Sequence, residues 1–189
     1  MDRDWKPVSL PGLIAWMIFY CAFLVYAATN QTGFLFIDNV NLVVHEGGHL
    51  LFGWFGYSIG IWGGTLLQWL VPLLLAAFFF VQRETAGFTF CTFFFFENWL
   101  YTAGYMADAR TMILPLVTVG DAEYTIHDWN FIFSQIGLLS HDTTIATAVR
   151  LLGWLGMTAA AGSLVYRYAQ KPRPIPAGSI LSNSRFLKK

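Results

Sequence analysis

Charged residues make up only 12% of this 189-residue chain, against about 25% in an average soluble domain, which excludes an ordinary water-soluble fold. Lysine plus arginine equals aspartate plus glutamate, so the formal net charge is zero and no basic surplus points to nucleic acid. Cys21 and Cys91 lie in separate apolar runs. They make neither a disulfide framework nor a metal motif, and each reads as a small buried hydrophobe. Histidine is equally scarce: His45, His49, His127 and His141 are the whole set, too few for the histidine-rich di-iron site of a membrane hydroxylase or desaturase. No internal repeat is visible, which argues against repeat-built transporter folds.

What the chain has is apolar length. Hydrophobic residues reach 56% and aromatics 18%, and about 20 apolar residues cross a bilayer, so the expectation is an all-α polytopic membrane protein with about five transmembrane helices. The runs are Leu10 to Ala28, Phe34 to Phe55, Thr65 to Val81, Ala86 to Ala107 and Thr144 to Tyr168. The first exceeds the apolar core of a signal peptide, about 7–15 residues, and reads as a retained helix. Between the second and third, Gly56 to Gly64 alternates glycine with aromatic or β-branched residues, which predicts a short re-entrant or β-hairpin segment. Residues 1–170 form one membrane-embedded domain. The tail 171–189 is basic, and from Arg167 onward there is no acidic residue, which places the tail in the cytoplasm. Five spans then put the amino terminus outside. Ala159 to Ser163 supplies small residues for helix packing.

His45-Glu46-Gly47-Gly48-His49 completes H-E-x-x-H inside the second run. Ionisable groups there are expensive, about 2.5–3.5 kcal/mol for Asp, Lys or Arg at the centre of a membrane helix, so such a cluster points to function. On a helix the two histidines project from one face a turn apart and reach one tetrahedral Zn²⁺. Glu46, about 100° around the helix, reaches a water on the metal instead. The ion brings the pKa of that water toward about 7 and the carboxylate accepts its proton, which is hydrolytic chemistry.

With this motif on a membrane helix, a glycine-rich stretch after it, and Asn98 and Asp108 on a later span, residues 34–110 resemble the site-2 protease family of intramembrane zinc metalloproteases. The resemblance implies His45 and His49 as zinc ligands, Glu46 as general base and later proton donor, Asp108 as third ligand, and Asn98 as a group that orients substrate or stabilises the oxyanion. The residues themselves leave other carriers open for the third position. His127 has Asp128 beside it to orient its imidazole, Glu97 lies deep in the fourth span, and His141 opens the last helix, where Asp142 or Thr143 reads equally well as N-cap. Glu97, Tyr101, Gly104, Tyr105 and Asp108 share one helical face. Glu97 and Asp108 stand about 16 Å apart along a straight helix, however, so only one reaches the ion, and Arg110 is available to partner Asp108.

The function expected is therefore hydrolysis of a peptide bond in a membrane-protein or peptide substrate, in the lipid bilayer of an inner or plasma membrane, with Gly56 to Gly64 lending an edge to an extended substrate. The alternatives are a non-catalytic scaffold with a structural metal and an ion- or proton-coupled transporter using Glu97 and Asp108. Glu46 separates them, because a structural site needs no carboxylate beside its first histidine.

Overall fold

The computed structural model describes residues 4–115 and 126–170; the basic tail 171–189, and Asp121 and Glu123 ahead of His127, lie outside them. Helix α1 (Leu10–Thr29) begins where Ser9 Oγ accepts the Gly12 N–H at 3.2 Å and Pro11 falls in the first turn, where a missing N–H costs nothing. There follow α2 (Asp38–Phe52), a 3₁₀ turn (Gly53–Phe55), α3 (Tyr57–Val81), α4 (Thr85–Ala107), α5 (Asp128–Gln135), a second 3₁₀ turn (Leu139–His141) and α6 (Asp142–Ala169). Among the described residues there is no strand, only an isolated bridge between Lys6 and Glu84.

The hairpin expected over Gly56 to Gly64 is the first two turns of α3 instead. Gly56 alone makes the turn, at φ 115°, a left-handed conformation that favours glycine. Gly60, Gly63 and Gly64 serve contact rather than bending. They fall at helical spacing on one face, and α2 lies back along that face. A helix also satisfies its own backbone in lipid, which an isolated hairpin does not, and it has no free edge to offer a substrate strand.

Three helical stretches are long and apolar enough to cross a membrane: Leu10–Thr29, Tyr57–Val81 and Leu139–Ala169. The second expected span is shorter than read, since α2 has 15 residues, about 22 Å. The fourth, α4, has 23 residues but carries Glu97, Asn98 and several threonines.

α4 lies between α3 and α6. Phe96 of α4 fills a notch in α6 made by Gly153 and Gly156; a Cβ on Gly156 would stand 2.1 Å from its ring. The close approach is thus earlier than Ala159 to Ser163, and only Ala160 and Ala161 of that stretch are buried. α1 closes the other side, with Leu13 and Tyr20 packed on Phe93, Met157 and Leu164. At one end of the bundle the Lys6 N–H donates to the Arg83 carbonyl at 2.8 Å, Lys6 pairs with Glu84, and the Arg167 guanidinium lies 3.8 Å over the Trp5 ring. The start of α1 and the end of α6 therefore share one end. Five full crossings would instead set these two points at opposite ends.

Candidate metal centre

The histidines of α2 meet α3 because nothing but backbone separates the two helices. A Cβ on Gly48 would stand 2.2 Å from the Gly63 oxygen, and one on Gly63 would stand 2.6 Å from the Gly48 oxygen. One residue further, a Cβ on Gly64 would stand 2.6 Å from Nε2 of both His45 and His49. The spacing of H-E-x-x-H puts both rings on this face, and Gly64 leaves the space in front of their Nε2 atoms open.

The third group in that space is Asp128. Its Oδ2 lies 2.8 Å from His45 Nε2 and 3.1 Å from His49 Nε2, and one ligand atom from each of the three residues falls within 4.8 Å of the others. Asp128 is the first residue of α5. That short helix is docked by Trp129, Ile132 and Phe133 against Ile61, Met106, Ala109 and Ala146, and by Asn130 Nδ2 donating to the Ala109 carbonyl at 2.8 Å. The Asp128 N–H donates to Tyr105 Oη at 3.1 Å, and His127 caps the helix by accepting the Asn130 N–H on Nδ1 at 3.2 Å.

The other expected carriers are placed elsewhere. Asp108 does not reach the histidines. Its carboxylate accepts from the Thr111 hydroxyl at 2.6 Å and from the Ile113 and Leu114 N–H groups at 3.0 Å. Burial acts to raise this carboxyl, yet those donors outweigh it and hold the group below its ordinary range. Its Oδ2 also stands 3.4 Å from His127 Nε2. Arg110 turns away from Asp108 to grip Asp142, at 2.8 and 2.7 Å. Glu97 is fully buried and accepts from Asn41 Nδ2 at 3.1 Å, an amide it shares with Asp38. His141 is exposed and contacts Ser140. Asn98 donates to the Phe94 carbonyl of its own helix at 2.8 Å. Of the expected set, His45, Glu46 and His49 are brought together, and the acid that joins them is the neighbour of His127 rather than His127 itself.

No family model, curated protein or solved structure matches the chain. The centre is read from its own chemistry. His49 Nδ1 lies 2.8 Å from the Gly60 carbonyl oxygen; a carbonyl only accepts, so Nδ1 carries a proton, and Nε2, which faces Asp128, is the nitrogen left for a metal. His45 repeats the arrangement, with Nδ1 3.2 Å from Gln68 Oε1. Two ring nitrogens thus converge on one carboxylate oxygen, an arrangement that N–H donation satisfies when the rings are protonated and that a cation satisfies when they are not. Metal-ligating histidines characteristically have the far ring nitrogen bonded in this way. Ligand atoms about 2.1 Å from one zinc ion stand about 3.4 Å apart at tetrahedral angles, so the observed 2.8 and 3.1 Å separations must widen by about 0.6 and 0.3 Å to take an ion. Glu46, half-buried, is within electrostatic reach of all three residues.

Proposed function

We propose that this protein is a membrane-embedded zinc metalloprotease of the site-2 type, hydrolysing a peptide bond in a membrane-associated protein, and that His45, His49 and Asp128 hold the ion. The observation that carries the reading is the convergence of two histidine Nε2 atoms and a carboxylate on the space that Gly64 keeps open, with the Glu46 carboxyl within electrostatic reach. A bound Zn²⁺ supplies Lewis acidity and lowers the pKa of water. The rest is done by the chain. Gln68 and Gly60 fix the ring tautomers, Glu46 takes a proton from the attacking water and returns it to the leaving amine, and Asn98 orients substrate. Asp108 acts at one remove, through His127 and the start of α5.

On this reading α1, α3, α4 and α6 cross the bilayer and α2 descends only part-way. Lys6, Arg83 and Arg167 mark the cytoplasmic end by the positive-inside rule. Gly64 lies about 25 Å along α3 from Val81, which sets the site near the opposite face, level with the exposed aromatics Trp54, Phe55 and Tyr57 that suit a membrane interface. Substrates are cut near that face.

The test pairs elemental analysis with cleavage of a tagged single-span helix in reconstituted vesicles. Wild type and Glu46→Gln should each hold about one zinc per chain, while the substitution lowers cleavage by about 10²–10⁴-fold. Wild type that stays metal-free with ample zinc, or equal cleavage by both proteins, rejects the proposal; zinc without cleavage of any helix in a broad panel favours a structural metal.

A further inference from the structure

Between α2, α3 and α4 lies a cleft of about 170 Å³, walled by apolar groups such as Val44, Val71 and Phe94 but also by Asn41, Gln68 and Asn98. Primary amides in an apolar wall need partners. Asn41 directs its amide nitrogen to Asp38 and Glu97. The other two are left short: Gln68 Nε2 and Asn98 Oδ1 are both buried with no hydrogen-bond partner. Pro72, on the same wall, has no N–H, so the Gln68 carbonyl four residues earlier lacks its helical donor. Buried polar groups are nearly always paired. Here one donor, Gln68 Nε2, and one acceptor, Asn98 Oδ1, stand unmet.

We infer that this cleft is the subsite for an apolar residue of an extended polypeptide, whose C=O accepts from Gln68 Nε2 and whose N–H donates to Asn98 Oδ1. The inference rests on the protease reading above and names where the chain beside the scissile bond is held. A peptide offers both donors and acceptors, as the cleft requires, whereas a lipid acyl ester offers acceptors alone. An apolar cavity of about 150 Å³ takes a ring the size of benzene, so one aliphatic or aromatic side chain fits. Gln68 is also the residue whose Oε1 meets His45 Nδ1, so a chain bound here lies one side chain from the metal centre. Val40 and Leu75 at the rim are half exposed, and the cleft opens sideways between helices.

The test uses the full chain, zinc-loaded and carrying Glu46→Gln so that nothing is cut, in detergent. The probe is N-acetyl-leucyl-leucine methylamide, compared with its ester analogue and with a diacyl phosphatidylcholine, and binding is read by saturation-transfer NMR titration. The amide should bind about tenfold more tightly than the ester, Gln68→Leu should erase that preference, and Val71→Trp, which fills the cleft and leaves both amides in place, should block the probe while zinc content is kept. Equal binding of amide and ester, displacement of the amide by the phospholipid, or no amide binding by zinc-loaded protein overturns the inference. Cleavage by wild type together with any of those results overturns the subsite alone; probe binding together with a wild type that cuts nothing overturns the protease reading alone.

Discussion

Replacing Gly64 with alanine adds one methyl group where the ion is proposed to sit. That Cβ would stand 2.6 Å from Nε2 of both histidines, and ordinary contact begins at 3.4 Å, so the rings must retreat by about 0.8 Å between them and the backbone, whereas ligand distances in a metal site hold within about 0.2 Å. Gly64→Ala should therefore weaken zinc binding by at least about 100-fold, the upper range for disturbing a metal site's supporting shell, with helix content retained. Two neighbouring glycines serve as controls. Gly47→Ala meets nothing closer than Leu67 at 3.9 Å; it should leave zinc affinity unchanged and gain up to about 1 kcal/mol in helix propensity. Gly48→Ala puts its Cβ on the Gly63 backbone and should cost stability, about 1–3 kcal/mol for overpacking of this kind. The assay is competition with a chromogenic chelator alongside thermal unfolding by circular dichroism. Wild-type zinc affinity in Gly64→Ala would mean that no ion sits between the two Nε2 atoms, and the assignment of the centre would fall.

Two further outcomes follow from the way Asp128 is held. Asp128→Ala should strip zinc about as thoroughly as His45→Ala, whereas Asp108→Asn should reduce affinity only in part, about 10–100-fold for a group acting through another; the reverse order in the same chelator competition would return the third position to Asp108. His127→Asn should keep α5, because asparagine is a good N-cap, and lower zinc affinity no more than Asp108→Asn does, while His127→Ala should in addition lose about 1 kcal/mol of stability; equal loss of stability in both variants would show that the imidazole does more for α5 than cap it.

The motif and the long helices were legible because each is written locally. His45, Glu46 and His49 need only a helix to come together, and the apolar runs over α1 and α6 closely match their helices, whereas α3 begins eight residues before the run that predicted it, at Tyr57 rather than Thr65. Asp128 was not, since it lies 83 residues from His45 and no motif links the two. The available signal was the pair His127-Asp128, and its roles are the reverse of the simple reading: the histidine caps and the acid reaches the centre. Gly56 to Gly64 misled for a related reason. Alternation with aromatic residues suggests a strand, but the glycines at 60, 63 and 64 are dictated by a partner helix that the local pattern does not contain. Asp108 and Arg110 are charged and buried or paired, as membrane-edge groups should be, yet their partners are a turn of their own chain and Asp142.

The short α2 bears on the order in which the molecule is put together. It carries Asp38, His45, Glu46 and His49 over 15 residues, too few and too polar to insert as a span, and its seat is the bare backbone of Gly63 and Gly64, which leaves the ribosome after it. α2 therefore has no berth until α3 has been made and lodged in the bilayer. The two histidines stay unassembled through that interval, and their acidic partner emerges later still, after α4. On the proposed assignment, metal loading is thus a late event in the life of each chain, and a protein truncated between α2 and α5 would carry the H-E-x-x-H sequence without Asp128 to complete the centre.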